Sequence, residues 1–234
     1  MKGAVVNNQD GAKKFAGLLR KLNKPPLPDP EESKDAVAVL IKSFLIWDST
    51  TAKASAAYKR IMDRVVDYND LRVTMSYELA EWIGPRYPKA QERCQRIRAA
   101  LQHMYSREHA VSLDRLHSLG RREVKHYLRS LDGIAPYVAD RVTLLCFEAH
   151  CVPVDDRLRR ALIAAAVCDD TVTVNDLSSW LARQVKAANS TATHHALQAW
   201  SDRPGSGGSG GSGGSSSKRR GATVSKKKTA KSRA

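Results

Sequence analysis

Residues 130–160, SLDGIAPYVADRVTLLCFEAHCVPVDDRLRR, limit the fold of this chain more than any other stretch. Val124, Leu128 and Leu131 recur at i, i+4 and i+7, and Val138, Val142 and Leu145 repeat that spacing. Between the two patterns stand only the six residues 132–137, so two helices must turn back on each other within a few residues. Gly133 supplies the positive φ that so short a turn needs. Pro136 suits the first turn of the second helix, where its missing N–H costs nothing. Backbone N–H groups at such a helix start form an anion site, and phosphate is the expected anion. After a short loop, Asp155 and Asp156 open a further helix, LRRALIAAAV; either one suits its N-cap.

The pattern Leu131-x-Gly133-Ile134-x-x-x-x-Ala139, with Val154-Asp155 placing an aspartate eighteen positions after Tyr137, resembles the endonuclease III-like DNA glycosylases of the helix-hairpin-helix (HhH-GPD) family. In that family the hairpin reads L-P-G-V-G-[KR]-x-[TS]-A and a later V-D-x-x-[VL] carries the catalytic aspartate. Ser43, Asp48, Lys53 and Ala54 fit the family's first core helix and the loop after it, so the resemblance spans roughly 35–166. It implies an all-α, two-lobed fold: a six-helix barrel near 50–145 and a composite lobe from 15–49 and 146–200, with the active-site cleft between them.

The resemblance makes Asp155 the candidate catalytic carboxylate. Cleaving an N-glycosidic bond builds positive charge on the sugar, and a carboxylate held beside it stabilises that charge and orients water. Bifunctional members carry a lysine nucleophile where Tyr137 stands. Tyrosine cannot form a Schiff base, so a monofunctional glycosylase acting on a damaged or mismatched base is expected. For Tyr137 the alternative is plain packing on the helix after the hairpin; for Asp155 it is helix capping, with Asp156 free to cap if Asp155 faces the cleft. The alternative for the whole protein is a non-catalytic DNA-binding protein on the same scaffold. The sequence departs from the family at Ala135 (the second hairpin glycine), at Leu45 (often glutamine, in the loop that fills the gap left by a flipped base) and at Arg157 (often histidine or asparagine).

Charge agrees with a polyanionic partner. The 234 residues carry a net +15, of which residues 218–234 hold eight and the remainder about +7. Double-stranded DNA is the expected partner of a monomer. The candidate contacts are Leu131, Gly133, Ile134, Ala135 and Tyr137 at the hairpin; Arg129, Arg141 and Arg157 around it; and Lys218, Arg219, Arg220, Lys226, Lys227 and Lys228 in the tail. Arg121, Arg122 and Lys125 extend that surface or form a solvated helix face. No apolar run is long enough to span a membrane and no signal-peptide core opens the chain, so a cytoplasmic, nucleoid-associated or a nuclear protein is expected rather than a secreted one. Cys94, Cys146, Cys151 and Cys168 lack the C-x6-C-x2-C-x5-C run of cluster-bearing relatives; buried thiols, no metal and no cofactor are expected.

The chain divides into a basic, Pro-rich extension over 1–33, a glycosylase-like domain over 34–203, a Gly/Ser linker over 204–217 and a disordered Lys/Arg-rich tail over 218–234. Along the chain, starting with a short amphipathic helix carrying Phe15, Leu18, Leu19 and Leu22, the periodicity predicts about nine or ten helices and no strand. Residues 69–71 read as a turn, Ser118 and Asn175 or Asp176 as helix caps, and Trp47, Trp82, Trp180 and Trp200 as core.

Overall fold

The computed structural model describes residues 8–22 and 34–203. The expected linker and basic tail lie outside them, as does the Pro-rich segment before Lys34. Every regular element among the described residues is helical.

The second helix is the centre of the larger lobe. α1 spans Asn8–Lys21 and α2 spans Ala36–Ile46. Ten of the eleven α2 residues are buried, and Leu40, Ile41, Phe44 and Leu45 are wholly inaccessible. A helix apolar all round has to be surrounded, and truncating one such leucine to alanine costs about 2–5 kcal/mol. Its start is set by Asp35, whose carboxylate accepts the Ala38 N–H at 2.9 Å and the Tyr68 hydroxyl at 2.5 Å. Its end is held by two side chains from the same segment: the Tyr87 hydroxyl donates to Leu45 O at 2.5 Å, and the buried Arg93 guanidinium donates to Phe44 O. These satisfy carbonyls that a helix end leaves without partners.

α3 (Thr51–Met62), α4 (Tyr68–Val73), α5 (Ser76–Ile83), α6 (Ala90–Glu108), a 3-10 turn at Asp114–Ser118, α7 (Arg121–Arg129) and α8 (Pro136–Phe147) enclose α2 in one apolar core. α9 (Asp156–Ala164), α10 (Val174–Gln184) and α11 (Ser190–Ser201) form a second core. The chain's first helix joins it: Phe15 meets Trp180 edge-on at 5.9 Å. The smaller lobe is thus composite, as expected. Residues 35–49, however, belong to the larger lobe instead, because α2 packs along α3 and α8 and has no polar face to leave at a lobe surface.

Local chemistry explains three smaller differences. Residues 69–71 lie inside α4 because the Asp67 carboxylate accepts the Asp70 N–H at 2.7 Å and caps a helix there. Thr173, rather than Asn175 or Asp176, caps α10 by accepting the Asp176 N–H. α7 starts after Gly120, where the Glu123 carboxylate returns to the Gly120 N–H at 2.9 Å. Of the four tryptophans, Trp180 is fully buried, and Trp47, Trp82 and Trp200 keep partial exposure.

Candidate active site

Residues 151–154 lead into α9 along a buried path, with Val152 and Val154 anchored in the core of the smaller lobe. That seats Asp155 at the N-cap of α9, only 4 % exposed. Its Oδ1 accepts the Leu158 N–H at 2.8 Å, and its Oδ2 accepts the Asp48 N–H at 2.9 Å from the loop that follows α2. Capping and a buried, oriented carboxylate therefore coincide in one residue, while Asp156 is exposed in the first turn. Burial pushes the Asp155 pKa up to about 6; the two N–H donors oppose the rise and the nearby Asp48 carboxylate adds to it.

Tyr137 follows Pro136 in the first turn of α8 and is 3 % exposed. Its hydroxyl donates to Gln198 Oε1 at 3.2 Å, and burial pushes its pKa well up, so it stays neutral. Gln198 Nε2 donates to Asp202 Oδ1 at 3.2 Å. Arg157 Nη1 reaches the same oxygen at 2.5 Å and Ser49 O at 2.7 Å, and its Nη2 donates to Ser201 O. The Thr51 N–H donates to Asp202 Oδ2 at 3.0 Å. Arg157 and Asp202 thus clamp the smaller lobe to the loop carrying Asp48. Arg157, a candidate DNA contact by sequence, is spent on this clamp.

The hairpin packs on α6. Gly133 has φ 72°, and a Cβ there would lie 3.1 Å from both Arg96 Cα and Arg96 O. Arg96 Nη1 donates to Gly133 O at 3.1 Å. Leu131 and Ala135 are buried, and Ile134 is half-buried. No side chain caps α8, so the N–H groups of its first turn beyond Pro136 are left for an outside acceptor. Arg129 is half-exposed beside the hairpin and pairs with Asp140 at 3.0 Å, an oxygen that Lys125 also approaches at 3.3 Å. Arg141 turns the other way: its Nη1 donates to Ser43 Oγ at 2.9 Å and its Nε is enclosed. It lies under the site rather than on a phosphate-facing surface, because the α8 face bearing it packs on α2. The tail residues Lys218, Arg219, Arg220, Lys226, Lys227 and Lys228 lie outside the described residues.

Leu45 is also relocated. It sits wholly buried inside α2 and cannot belong to a gap-filling loop. The loop starts at Trp47, whose ring has Lys89 Nζ, Arg93 and Arg96 within 5.3–5.7 Å of its centroid. Lys89, Gln198 and Asp202 carry no motif signal, and only folding brings them to this site. Asp48 was placed by the family resemblance in the loop after the first core helix, and that is where it stands.

No protein-family model matches the chain, and no curated protein matches it by sequence. Solved structures do. An endonuclease III–DNA trapped covalent intermediate shares 18% identity over 83% of this chain and 85% of that one, with a TM-score of 0.59. A thermostable thymine-DNA glycosylase shares 14% over 83% and 85%, with a TM-score of 0.58. The 3-methyladenine DNA glycosylase of H. pylori, bound to 1,N6-ethenoadenine, shares 11% over 83% and 96%, with a TM-score of 0.55. At these identities the likeness is one of fold: the chain has the two-lobed helical fold of these DNA glycosylases.

Proposed function

We propose that the protein is a monofunctional DNA glycosylase of base-excision repair, which takes a damaged or mismatched base out of duplex DNA and hydrolyses its bond to the sugar. The observation that carries this reading is Asp155: a buried carboxylate between the lobes, with both oxygens fixed by backbone amides. Fixed in place, it needs no reorganisation to stabilise a sugar cation. With a pKa near 6 it is largely ionised at neutral pH, and orients or deprotonates the attacking water. Tyr137 offers no amine, and its neutral hydroxyl supports the cleft wall through Gln198. The uncapped start of α8 and the basic body provide for phosphates. The same reading has it act on double-stranded DNA as a monomer, in the cytoplasm with the bacterial nucleoid or in the nucleus.

A second reading, DNA binding without base chemistry, draws on the closure of the site. Asp155 and Tyr137 are almost inaccessible and Arg157 bridges the seam, so a sugar reaches Asp155 only if the loop after α2 shifts. A panel of duplexes, each with one lesion or mismatch and scored for base release, decides between them. Release from at least one duplex supports the glycosylase; tight binding of duplexes with no release from any overturns it in favour of the scaffold reading.

A further inference from the structure

Asp48 and Lys89 stand opposite each other where α2 ends and α6 begins, and both hold left-handed backbone, at φ 52° and φ 50°. Residues other than glycine rarely adopt that conformation, and aspartate and asparagine are among those that tolerate it best. Asp48 sits in a tight turn: Trp47, at ψ 120°, turns the peptide between Trp47 and Asp48 away from the helix, the positive φ at Asp48 completes the turn, and the Ser49 N–H closes it on Ile46 O at 2.8 Å. The turned peptide directs the Asp48 N–H to Asp155 Oδ2, 107 positions along the chain. The Asp48 carboxylate is held less completely. Its Oδ2 lies 3.6 Å from Lys89 Nζ, and its Oδ1 is buried without a partner among the described residues. One residue thus presents a donor and a negative charge to the same buried group.

We propose that Asp48 is the positioning residue for Asp155: its left-handed backbone holds the turn that aims the amide orienting the reacting carboxylate, and its own side chain, held by Lys89, sets the charge which that carboxylate faces. This rests on the reading of Asp155 as the reacting group. The two effects are opposed. The amide favours the ionised form of Asp155, and the neighbouring carboxylate disfavours it. The other groups facing Asp155 are Arg157 on its own helix and Tyr137 on α8, with Asp202 at the end of α11 behind them. The remaining Asp155 oxygen is occupied by the Leu158 N–H, so among the described residues the Asp48 amide is the hydrogen bond that ties this carboxylate to the larger lobe.

Three substitutions separate amide from charge. Asp48→Asn and Asp48→Gly remove the charge and keep a residue suited to positive φ. Asp48→Val removes the charge and, being β-branched, resists that backbone. Carboxyl carbon NMR on protein labelled at aspartate follows the Asp155 titration directly, and single-turnover base release gives the rate. Asn and Gly should move the Asp155 titration to lower pH than in the wild type. Val should leave it higher than Asn and Gly do, and should release base ~10–100-fold more slowly than Asn, the loss expected for one hydrogen bond to a charged group. Thermal unfolding identifies a Val variant that fails to fold; Asp48→Ala then replaces it, with a smaller shift in the same direction. Matching titrations and rates for Val (or Ala) and Asn would overturn the proposal. If no protein, wild type included, releases any base, the glycosylase reading fails while the titration still decides what Asp48 does.

Discussion

The Tyr137 hydroxyl donates to Gln198 Oε1 at 3.2 Å, joining the helix after the hairpin to the last helix of the smaller lobe. A lysine nucleophile would need a free amine at this place, and here the position is filled by a neutral, hydrogen-bonded phenol. Borohydride reduction in the presence of abasic-site DNA should therefore trap no covalent adduct. Lys89 brings an amine close to Asp48, and an adduct mapped to it or to another core lysine would show a lyase chemistry arranged differently. Tyr137→Phe should keep the ring packing and lose about 1 kcal/mol of stability with the hydrogen bond.

Asp155→Asn should abolish base release while leaving duplex affinity nearly unchanged. The variant keeps an N-cap acceptor for Leu158 but loses the negative charge that opposes a sugar cation. Single-turnover release together with binding to an abasic-site duplex checks both halves. Turnover retained in a folded variant would remove Asp155 from the chemistry.

The pH dependence has a definite sign. The folded pKa of Asp155, about 6, lies above the ordinary aspartate value of 3.8. The folded state therefore binds this proton more tightly. The contribution is fully present below about pH 4 and is lost as pH rises through 6. Against Asp155→Asn, which does not titrate, the wild type should lose up to about 3 kcal/mol of relative stability between pH 4 and pH 8. Base release should run the opposite way, rising from pH 5 to 7 as the carboxylate ionises. Denaturant unfolding of both proteins across this range tests the first, and a pH–rate profile the second.

Gly133→Ala should destabilise the protein by about 1–3 kcal/mol through its positive φ alone. The added Cβ also meets Arg96 backbone at 3.1 Å, which cannot swing aside as a side-chain tip would. Moving the hairpin off α6 should weaken duplex binding as well. Urea unfolding and a binding isotherm measure the two effects, and an unchanged midpoint would mean that this close approach carries no strain.

Deleting residues 205–234 should flatten the plot of log affinity against log salt by several units, since each phosphate neutralised contributes about −0.9. The tail holds eight basic and no acidic residues beyond a Gly/Ser tether. Single-turnover release with DNA saturated by enzyme should change little. Affinities at four or five salt concentrations for full-length and truncated protein are the measurement; an unchanged slope would leave binding to the basic body alone.

The helical class, the hairpin and the placing of an aspartate after it were legible in sequence, because they follow from local rules. Apolar residues at i, i+4 and i+7 specify helices whatever surrounds them, and a turn as short as Leu131 to Ala135 needs its glycine. Lobe membership was not legible. The apolar run of α2 says that it is surrounded, but only packing against α3 and α8 assigns it to the larger lobe. The fate of each charge was equally hidden: Arg129, Arg141 and Arg157 look alike in sequence, yet one flanks the hairpin beside Asp140, one lies enclosed against Ser43, and one clamps the seam to Asp202. The neighbours of Asp155 came from the tertiary structure for the same reason. Packing within the larger lobe brings Lys89 to Asp48, the docking of the two cores brings the Asp48 amide to Asp155 and Gln198 to Tyr137, and no local pattern records contacts made 41 to 107 positions away.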